Sequence, residues 1–508
     1  FVIRVGESSM LFNSIDFLIF FPAVLLVYFI VPHRIRPTWL LLSSYYFYMS
    51  WNPVHGILLL AVTAVTYLGA RLLQRMDCEQ GKKKRNKKII LVAEVITVIG
   101  LLGYFKYTGF FLDSINVVLA KFRIAPVEIE WNIALPIGIS FYTLTALGYL
   151  IDVYRGKSEA EHNFLRYALF VSFFPQILSG PIERSTNLLR QLRDSSIKCN
   201  WNTERVASGF ITMLWGFFLK LVIADRIAVI ADTTFGRPEC YGTFGLVLGA
   251  VSYGIQIYCD FSSYSLIALG AAKTLGFDLI NNFETPYFAQ SVTEFWHRWH
   301  ISLSTWLRDY VYISMGGNRC SKWRQYWNIL VTFMVSGLWH GANWTFLIWG
   351  ALHGFYQILE KELRPVVRKI NGYCHTKTAS FGYRFAKAAV TFALVDFAWI
   401  FFRADSVKQA LYYVKRMISF CDMWSLFDGS LYTMGLDVQE IHILMIGLTG
   451  LIVVDCLQYL KQKKIAELLM GQWCVFRWAI LICLIVSCIV FGYYGQGFES
   501  ANFIYLQF

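Results

Sequence analysis

Long apolar runs separated by short polar connections are the dominant pattern of this chain. The clearest runs cover about 15–31, 57–74, 89–112, 206–230, 243–272, 328–358, 384–402, 441–460 and 473–493, and shorter, polar-interrupted ones lie near 38–51, 134–154 and 165–180. A helix that crosses the hydrocarbon core of a membrane needs about 20 mostly apolar residues. The pattern therefore predicts an all-α polytopic membrane protein with roughly 11 to 13 membrane-embedded helices, some of them re-entrant.

The same pattern bounds the domain organisation. No polar stretch is long enough for a second soluble domain and no internal repeat is visible, so residues 10–508 are predicted to form a single membrane-embedded domain. Residues 1–9 precede Met10, which opens a typical N-terminal segment, and they are interpreted as an expression remnant or a non-native leader. The first apolar run has no small-residue cleavage site after it, so we expect it to be a retained span.

Two of the interrupted runs place proline and glycine at membrane depth, in Leu135–Phe141 and in Phe174–Pro181. Irregular backbone survives there only when it is buried in protein or lines a water-filled cavity. These segments therefore predict re-entrant elements around an internal site. The alternative interpretation is an ordinary helix kinked by proline.

Composition agrees with a membrane protein and argues against a nucleic-acid partner. The chain is 56% hydrophobic and only 16% charged, against about 25% charged residues in a typical soluble domain. The net charge of +13 is concentrated in short stretches between apolar runs, notably 81–88 and 461–464. Short basic loops beside spans mark the cytoplasmic side, so both are predicted to be cytoplasmic, and no soluble domain exists to present them to nucleic acid.

A different periodicity begins at Phe295 and continues to Tyr310. Aromatic and apolar residues recur there at spacings of three and four, which predicts one face of an amphipathic helix that lies at an interface or lines a cavity. His297 and His300 would share that face and could hold a metal ion. No carboxylate or cysteine completes a ligand set nearby, and none of the eleven cysteines forms a C-x-x-C pair, so no metal site is predicted.

His340 is the strongest candidate for chemistry, because it lies inside an otherwise apolar run. An ionisable group within a membrane is costly and tends to be functional. Gly337 and Gly341 flank it and would let backbone or substrate approach closely. A neutral imidazole can remove a proton from an acceptor hydroxyl near physiological pH. The alternative is a core histidine that hydrogen-bonds a neighbouring helix, and His300 is the second polar group that could orient His340 or hold a substrate.

Other polar residues at membrane depth favour structural interpretations. Asp260 is surrounded by hydroxyl groups in Tyr258–Ser265, which indicates a structural hydrogen-bond centre more than a part of the acceptor path. His353 is predicted to pack at a helix interface. The chain contains no nucleophile elbow, phosphate-binding glycine loop or dinucleotide fingerprint.

Several sequence blocks resemble the membrane-bound O-acyltransferases, and most closely the bacterial branch that contains the membrane subunit of alginate O-acetylation. The blocks extend essentially from Met10 to the end of the chain. They are Met10–Ser14, Pro136–Thr143, Phe174–Ile182, Asp260–Ser265, Phe283–Tyr287, Phe295–Tyr310 with Gly316–Arg319, Leu338–Trp344 and Phe503–Phe508.

The resemblance implies a ring of helices around a membrane-buried reaction chamber in the bacterial cytoplasmic membrane. The family's near-invariant histidine corresponds to His340, expected to be the general base, and its second polar position corresponds to His300. His297 stands where the branch varies, which argues against an essential role. Residues of the same blocks are predicted to contact substrate: Trp339, Asn343, Arg298, Asp260 and Ser302.

The resemblance also implies the reaction partners. The donor would be an acyl thioester such as acetyl-CoA on the cytoplasmic side, and no cofactor would be resident in the protein. The acceptor would be a hydroxyl of an extracytoplasmic polysaccharide, reached directly, through an acyl-histidine or through a relay. A separate extracytoplasmic acetyltransferase subunit and the surrounding membrane lipid would be the other partners.

Three other functions remain open at this point. A D-alanyl transferase of teichoic acid would take its acyl group from a small carrier protein, but such chains are shorter, and the spans from about residue 384 onward favour the polysaccharide branch. A transporter or flippase would also use broken helices and polar residues at the membrane midplane, yet it would usually show paired halves. A lipid acyltransferase is the third alternative.

Overall fold

The computed structural model describes residues 10–76, 83–127, 135–194, 201–419, 422–432, 434–494 and 503. Over these ranges the regular structure is helical and no strand occurs, which confirms the all-α prediction. The predicted leader at 1–9, part of the basic stretch at 81–88 and the tail block after Phe503 lie outside the described residues.

Seven helices of the described ranges are long and apolar enough to cross a membrane, which confirms a multi-pass membrane protein. They are Pro53–Arg75, Arg85–Lys106, Thr203–Gly236, Thr243–Leu275, Phe381–Arg403, Val438–Lys461 and Cys474–Phe491. Two shorter apolar helices, Ile15–Ile30 and Ile139–Tyr154, add to these. The larger number expected from the sequence included short and interrupted segments that do not span by length alone.

The chain divides into two compact units, which are described separately. One unit comprises residues up to Phe210 together with Ile267–Ile280, and the other comprises Ile211–Leu266 with the residues from Asn281 onward. The prediction of a single domain over 10–508 stays a prediction.

In the first unit, helices pack both on their neighbours in sequence and on helices more distant in sequence. The helices that begin in this unit are α1 (Ile15–Ile30), α2 (Arg36–Met49), α3 (Pro53–Arg75), α4 (Lys83–Lys106), α5 (Thr108–Lys121), α6 (Ile139–Tyr154), α7 (Phe164–Ser172), α8 (Arg190–Arg193) and α9 (Thr203–Phe218). Helix α3 packs on α2, α4 and α6, and α2 packs on α7.

Both proline- and glycine-containing segments of this unit include irregular backbone, buried throughout in Phe174–Pro181 and partly buried before α6. Phe174–Pro181 contains no helix although all its residues are buried, and α6 begins only after Gly138. Gly138 has φ 74°, and a Cβ there would lie 2.4 Å from the carbonyl oxygen of Ile177. Only glycine fits this conformation and this approach. The irregular-backbone interpretation is confirmed, and neither segment is a proline-kinked helix.

The second unit contains the remaining helices, and the pair with the most extensive packing forms a helical hairpin. Its helices are α10 (Asp225–Gly236), α11 (Thr243–Leu275, whose last turns belong to the first unit), α12 (Val292–Arg298), α13 (Ile301–Leu307), α14 (Lys322–His340), α15 (Trp344–Tyr373), α16 (Phe381–Arg403), α17 (Val407–Ser419), α18 (Val438–Lys461), α19 (Ile465–Met470) and α20 (Cys474–Phe491). The helical hairpin consists of α14 and α15. A π-helical segment, Leu219–Ala224, immediately precedes α10.

Two elements of the second unit differ from their sequence predictions. The apolar run 328–358 is not one segment: α14 ends at His340, and α15 begins at Trp344. The amphipathic helix predicted from Phe295 to Tyr310 is broken after Arg298. In both cases the pattern of apolar residues continues across the interruption, so hydrophobicity alone does not predict where the helix ends.

Candidate active site

The helical hairpin of α14 and α15 sets the position of His340, which is the last residue of α14 and is buried. Gly341 follows it with extended backbone, and Asn343 then caps α15 by accepting a hydrogen bond from the Thr345 backbone N–H at 3.1 Å. The same amide donates from Nδ2 to the backbone oxygen of Asp405 at 3.0 Å. The local sequence therefore ends one helix at His340 and begins the next four residues later, at Trp344.

The interruption between helices α12 and α13 sets the position of His300. This residue lies between α12 and α13 with φ 41°, in the left-handed region that non-glycine residues seldom adopt. Asn282 holds the break in place, because its backbone oxygen accepts from the Ile301 N–H at 3.0 Å and its Oδ1 accepts from the Ser302 N–H at 3.3 Å. A residue in this conformation persists only when its surroundings over-determine it, and such residues cluster at functional sites.

The two histidines, 40 residues apart in sequence, are neighbours in the structure. Their ring centroids are 6.3 Å apart, and both rings contact the indole of Trp339. His340 also packs edge-on against Trp349 and Phe402. The result is a pair of imidazoles in an aromatic cage.

Burial controls the protonation of His300. His300 is fully buried, and burial lowers its pKa to about 3. Its imidazole is therefore neutral at physiological pH, because an apolar environment disfavours the charged form. A neutral imidazole offers one donor and one acceptor nitrogen, which suits it to orienting a hydroxyl or a carbonyl group.

Most of the other residues predicted to contact substrate make contacts that stabilise the structure around the two histidines. The Arg298 guanidinium pairs with Glu294 at 2.8 Å and donates to the Thr285 hydroxyl at 3.2 Å. Ser302 is buried beside the interruption between α12 and α13, and Asn343 is the N-cap of α15. Trp339 differs from these residues, since its indole contacts both histidine rings. The roles of all of them in binding substrate stay predictions.

Asp260 is an ion-pair partner. Its Oδ1 accepts a hydrogen bond from Lys220 Nζ at 2.7 Å, and both side chains are buried. Lys220 also contacts Asp225 at 2.8 Å. Sequence reasoning did not single out Lys220 or Asp225, although charged residues inside the apolar run 206–230 are the signal that could have found them.

The remaining candidates separate clearly. His297 is exposed, and because the helix breaks before His300 the two do not share a helical face as predicted. His353 is buried and accepts a hydrogen bond from Trp296 Nε1 at 3.2 Å, in agreement with a packing role at a helix interface. Among the described residues no group of His, Cys, Asp and Glu could hold a metal ion.

The fold and this site define a polytopic helical membrane protein with two buried histidines in contact range. The chain belongs to the membrane-bound O-acyltransferase family, since the model of that family matches residues 132–390. The resemblance seen in the sequence is thereby confirmed. The protein is an enzyme of the membrane O-acyltransferase class.

Three similar proteins are named as acyl-transferring enzymes. A protein of Azotobacter vinelandii named probable alginate O-acetylase is 40% identical over 421 residues, which cover 82% of this chain and 80% of that protein. The peptidoglycan O-acetyltransferase of Helicobacter pylori is 33% identical over 440 residues, 80% of each chain. The teichoic acid D-alanyltransferase of Streptococcus thermophilus is 31% identical over 236 residues, which cover 43% of this chain and 55% of that protein.

Proposed function

We propose that this enzyme transfers an acetyl group from a cytoplasmic thioester, acetyl-CoA, to a hydroxyl group of an extracytoplasmic polysaccharide, with His340 as general base. The observation that carries the proposal is the burial of His340 and His300 side by side, with ring centroids 6.3 Å apart. The names of the relatives that align over about four fifths of the chain, an alginate O-acetylase and a peptidoglycan O-acetyltransferase, support an acetyl group and a polysaccharide acceptor.

In the proposed reaction the hydroxyl oxygen of the acceptor attacks the carbonyl carbon of the thioester while His340 takes the hydroxyl proton. The C–S bond then breaks, and the leaving thiolate receives that proton from His340. The products are an acetyl ester and free CoA thiol, so atoms and charge balance without a further reactant. General-base catalysis of this kind contributes about 100- to 10,000-fold in rate.

His300 acts in this scheme as the residue that orients the donor carbonyl or the acceptor hydroxyl. Its imidazole is neutral at physiological pH and can therefore both donate and accept a hydrogen bond. Its constrained backbone keeps the ring in place. Holding reactants in the attacking geometry is a large part of enzymatic rate enhancement.

The cellular setting follows from the same proposal. The protein works in the bacterial cytoplasmic membrane, takes its donor from the cytoplasm, and hands the acetyl group to the polysaccharide or to a separate extracytoplasmic acetyltransferase. A D-alanyl donor on a carrier protein is less favoured, because the teichoic acid relative aligns with 43% of this chain and the alginate relative with 82%.

The test measures acetyl-CoA turnover by the purified protein in detergent. His340→Ala should reduce turnover by at least about 100-fold, whereas His297→Ala, an exposed histidine three residues from His300, should leave it unchanged. Turnover by His340→Ala at the wild-type rate would refute the general-base assignment.

The donor is tested in the same assay with three thioesters. Turnover of acetyl-CoA that depends on His340, with little use of a long-chain acyl-CoA, supports a short acyl donor. Exclusive use of a carrier-bound D-alanyl thioester would replace acetyl-CoA with the carrier protein. Failure of every thioester to bind would refute the proposed reaction.

A further inference from the structure

Three charged side chains form a fully enclosed cluster in the second unit. Lys220 Nζ lies 2.7 Å from Asp260 and 2.8 Å from Asp225, and all three residues are buried. The ammonium group also lies 4.3 Å from the ring centroid of Phe503. We call Lys220, Asp225 and Asp260 the charge cluster. Because a buried ion is costly to desolvate, a charge cluster inside a membrane protein is a candidate for a functional role.

The backbone is locally altered to build the charge cluster. Lys220 and Asp225 are five residues apart, a spacing that would put them about 140° apart around an α-helix. Residues Leu219–Ala224 instead form a π-helical segment. The i→i+5 hydrogen bonds of this segment widen the turn and bring residues five apart closer to the same face, so the Lys220 and Asp225 side chains can meet. Interruptions of this kind occur frequently at functional sites.

The charge cluster is attached directly to the surroundings of His300. Asp260 precedes Phe261 on α11, and the Phe261 ring packs edge-on against the His300 imidazole with centroids 4.6 Å apart. Two residues before Asp260, the Tyr258 hydroxyl donates to Asp455 on α18 at 2.9 Å. The stretch of α11 that supports His300 is therefore held by these polar contacts.

We propose that Lys220 is a positioning residue for acyl transfer. By pairing with Asp260 it fixes α11 in the position in which the Phe261 ring packs against His300. This inference rests on the proposed role of His300 in the reaction. Lys220 itself does not touch the reacting atoms. Its contribution passes through the ion pair, the α11 backbone and the Phe261 ring.

Loss of the lysine charge should move this support. In Lys220→Met the cation that joins Asp260 to Asp225 is lost. Helix α11 then lacks the ion pair that fixes its position, and Phe261 shifts relative to His300. A displacement of about 1 Å at a reacting centre costs up to about 100-fold in rate. We expect that loss in kcat, with the KM for acetyl-CoA nearly unchanged, and Lys220→Arg should restore much of the rate because it keeps the charge.

A second variant guards against simple unfolding. Lys220→Met combined with Asp225→Asn and Asp260→Asn removes the cation and both anions together, so no uncompensated charge remains buried. We expect this triple variant to insert and to melt close to the wild type while kcat stays low. Lys273→Met, at the end of α11 and outside the charge cluster, is the matched control and should behave as wild type. A wild-type kcat in the triple variant would overturn the inference.

The deciding experiment is a cycle that combines the triple variant with His300→Ala and measures acetyl-CoA turnover. If Lys220 acts through His300, the loss of about 100-fold seen with His300 present shrinks to within about twofold when His300 is absent. An equal loss in both backgrounds would refute the inference alone. Wild-type turnover by His300→Ala would refute the role of His300, and wild-type turnover by His340→Ala would refute the proposed function itself.

Discussion

Replacing Gly337 by alanine should displace His340 and thereby slow acyl transfer. A Cβ at Gly337 would lie 2.1 Å from the backbone oxygen of Phe346, and one at Gly350 would lie 2.2 Å from the backbone oxygen of Phe333. Ordinary contact begins at 3.4 Å, so α14 and α15 would have to separate by about 1 Å to admit a single methyl group. The obstacle is backbone on the facing helix, which a rotamer change cannot relieve.

The magnitude follows from that separation. Overpacking a well-packed contact costs about 1–3 kcal/mol of stability. His340 follows Gly337 by less than one helical turn, so its imidazole moves with the helix. A displacement of about 1 Å in a catalytic group lowers the rate by up to about 100-fold. Gly337→Ala should therefore lower kcat far more than its modest loss of stability would explain.

The assay compares acetyl-CoA turnover and melting temperature in detergent for Gly337→Ala and a matched glycine. Gly103 lies within α4, where the position that an added methyl group would take has open space for 4 Å around it. Gly103→Ala should therefore be neutral or stabilising by about 0.5–1 kcal/mol. Wild-type turnover in Gly337→Ala would refute the argument that the close contact of α14 and α15 positions His340.

Three further changes test the supports of the two units. Asn343→Ala removes the cap of α15 and should cost about 1 kcal/mol of stability together with part of the turnover; an unchanged melting temperature would contradict the cap. Tyr258→Phe removes the donor to the buried Asp455 and should cost about 1–3 kcal/mol, measured by thermal unfolding in detergent. Burial on its own would raise the pKa of Glu161, but the hydrogen bond and charge of Arg193, with further donors, lower it below its ordinary value of 4.5. The stability from that carboxylate is present above this ordinary value and is lost as the pH falls through the lower folded-state pKa. Glu161→Gln should therefore flatten the acid side of the melting-temperature profile, and an unaltered profile would show that the pair contributes nothing.

The sequence predicts the helices of this protein well where hydrophobicity is uninterrupted. The apolar runs 57–74, 243–272 and 441–460 correspond to helices Pro53–Arg75, Thr243–Leu275 and Val438–Lys461. Long apolar runs have few alternatives in a membrane, because every backbone group must be satisfied within the segment. Their ends are less certain, since polar residues can extend a helix beyond the lipid.

The same signal misses the breaks that build the site. Asn343 is an ordinary N-cap residue, but its signal is hidden inside an apolar run that reads as one segment. The break at His300 is harder to predict, because the aromatic residues on either side keep the helical spacing. It depends on Asn282, about 20 residues earlier, which accepts hydrogen bonds from the backbone N–H groups that follow the interruption.

The charge cluster shows why a site residue can be visible in sequence and still be misjudged. The hydroxyl-rich neighbours of Asp260 suggested that they satisfy its carboxylate, yet that carboxylate forms an ion pair with Lys220, 40 residues earlier. The cluster depends on a π-helical segment, and in a regular α-helix Lys220 and Asp225 would point in different directions. The chemistry of each residue is local information, but its partner is set by backbone geometry. A buried charge in an apolar run is therefore better interpreted by searching for its counter-ion than by its nearest neighbours in sequence.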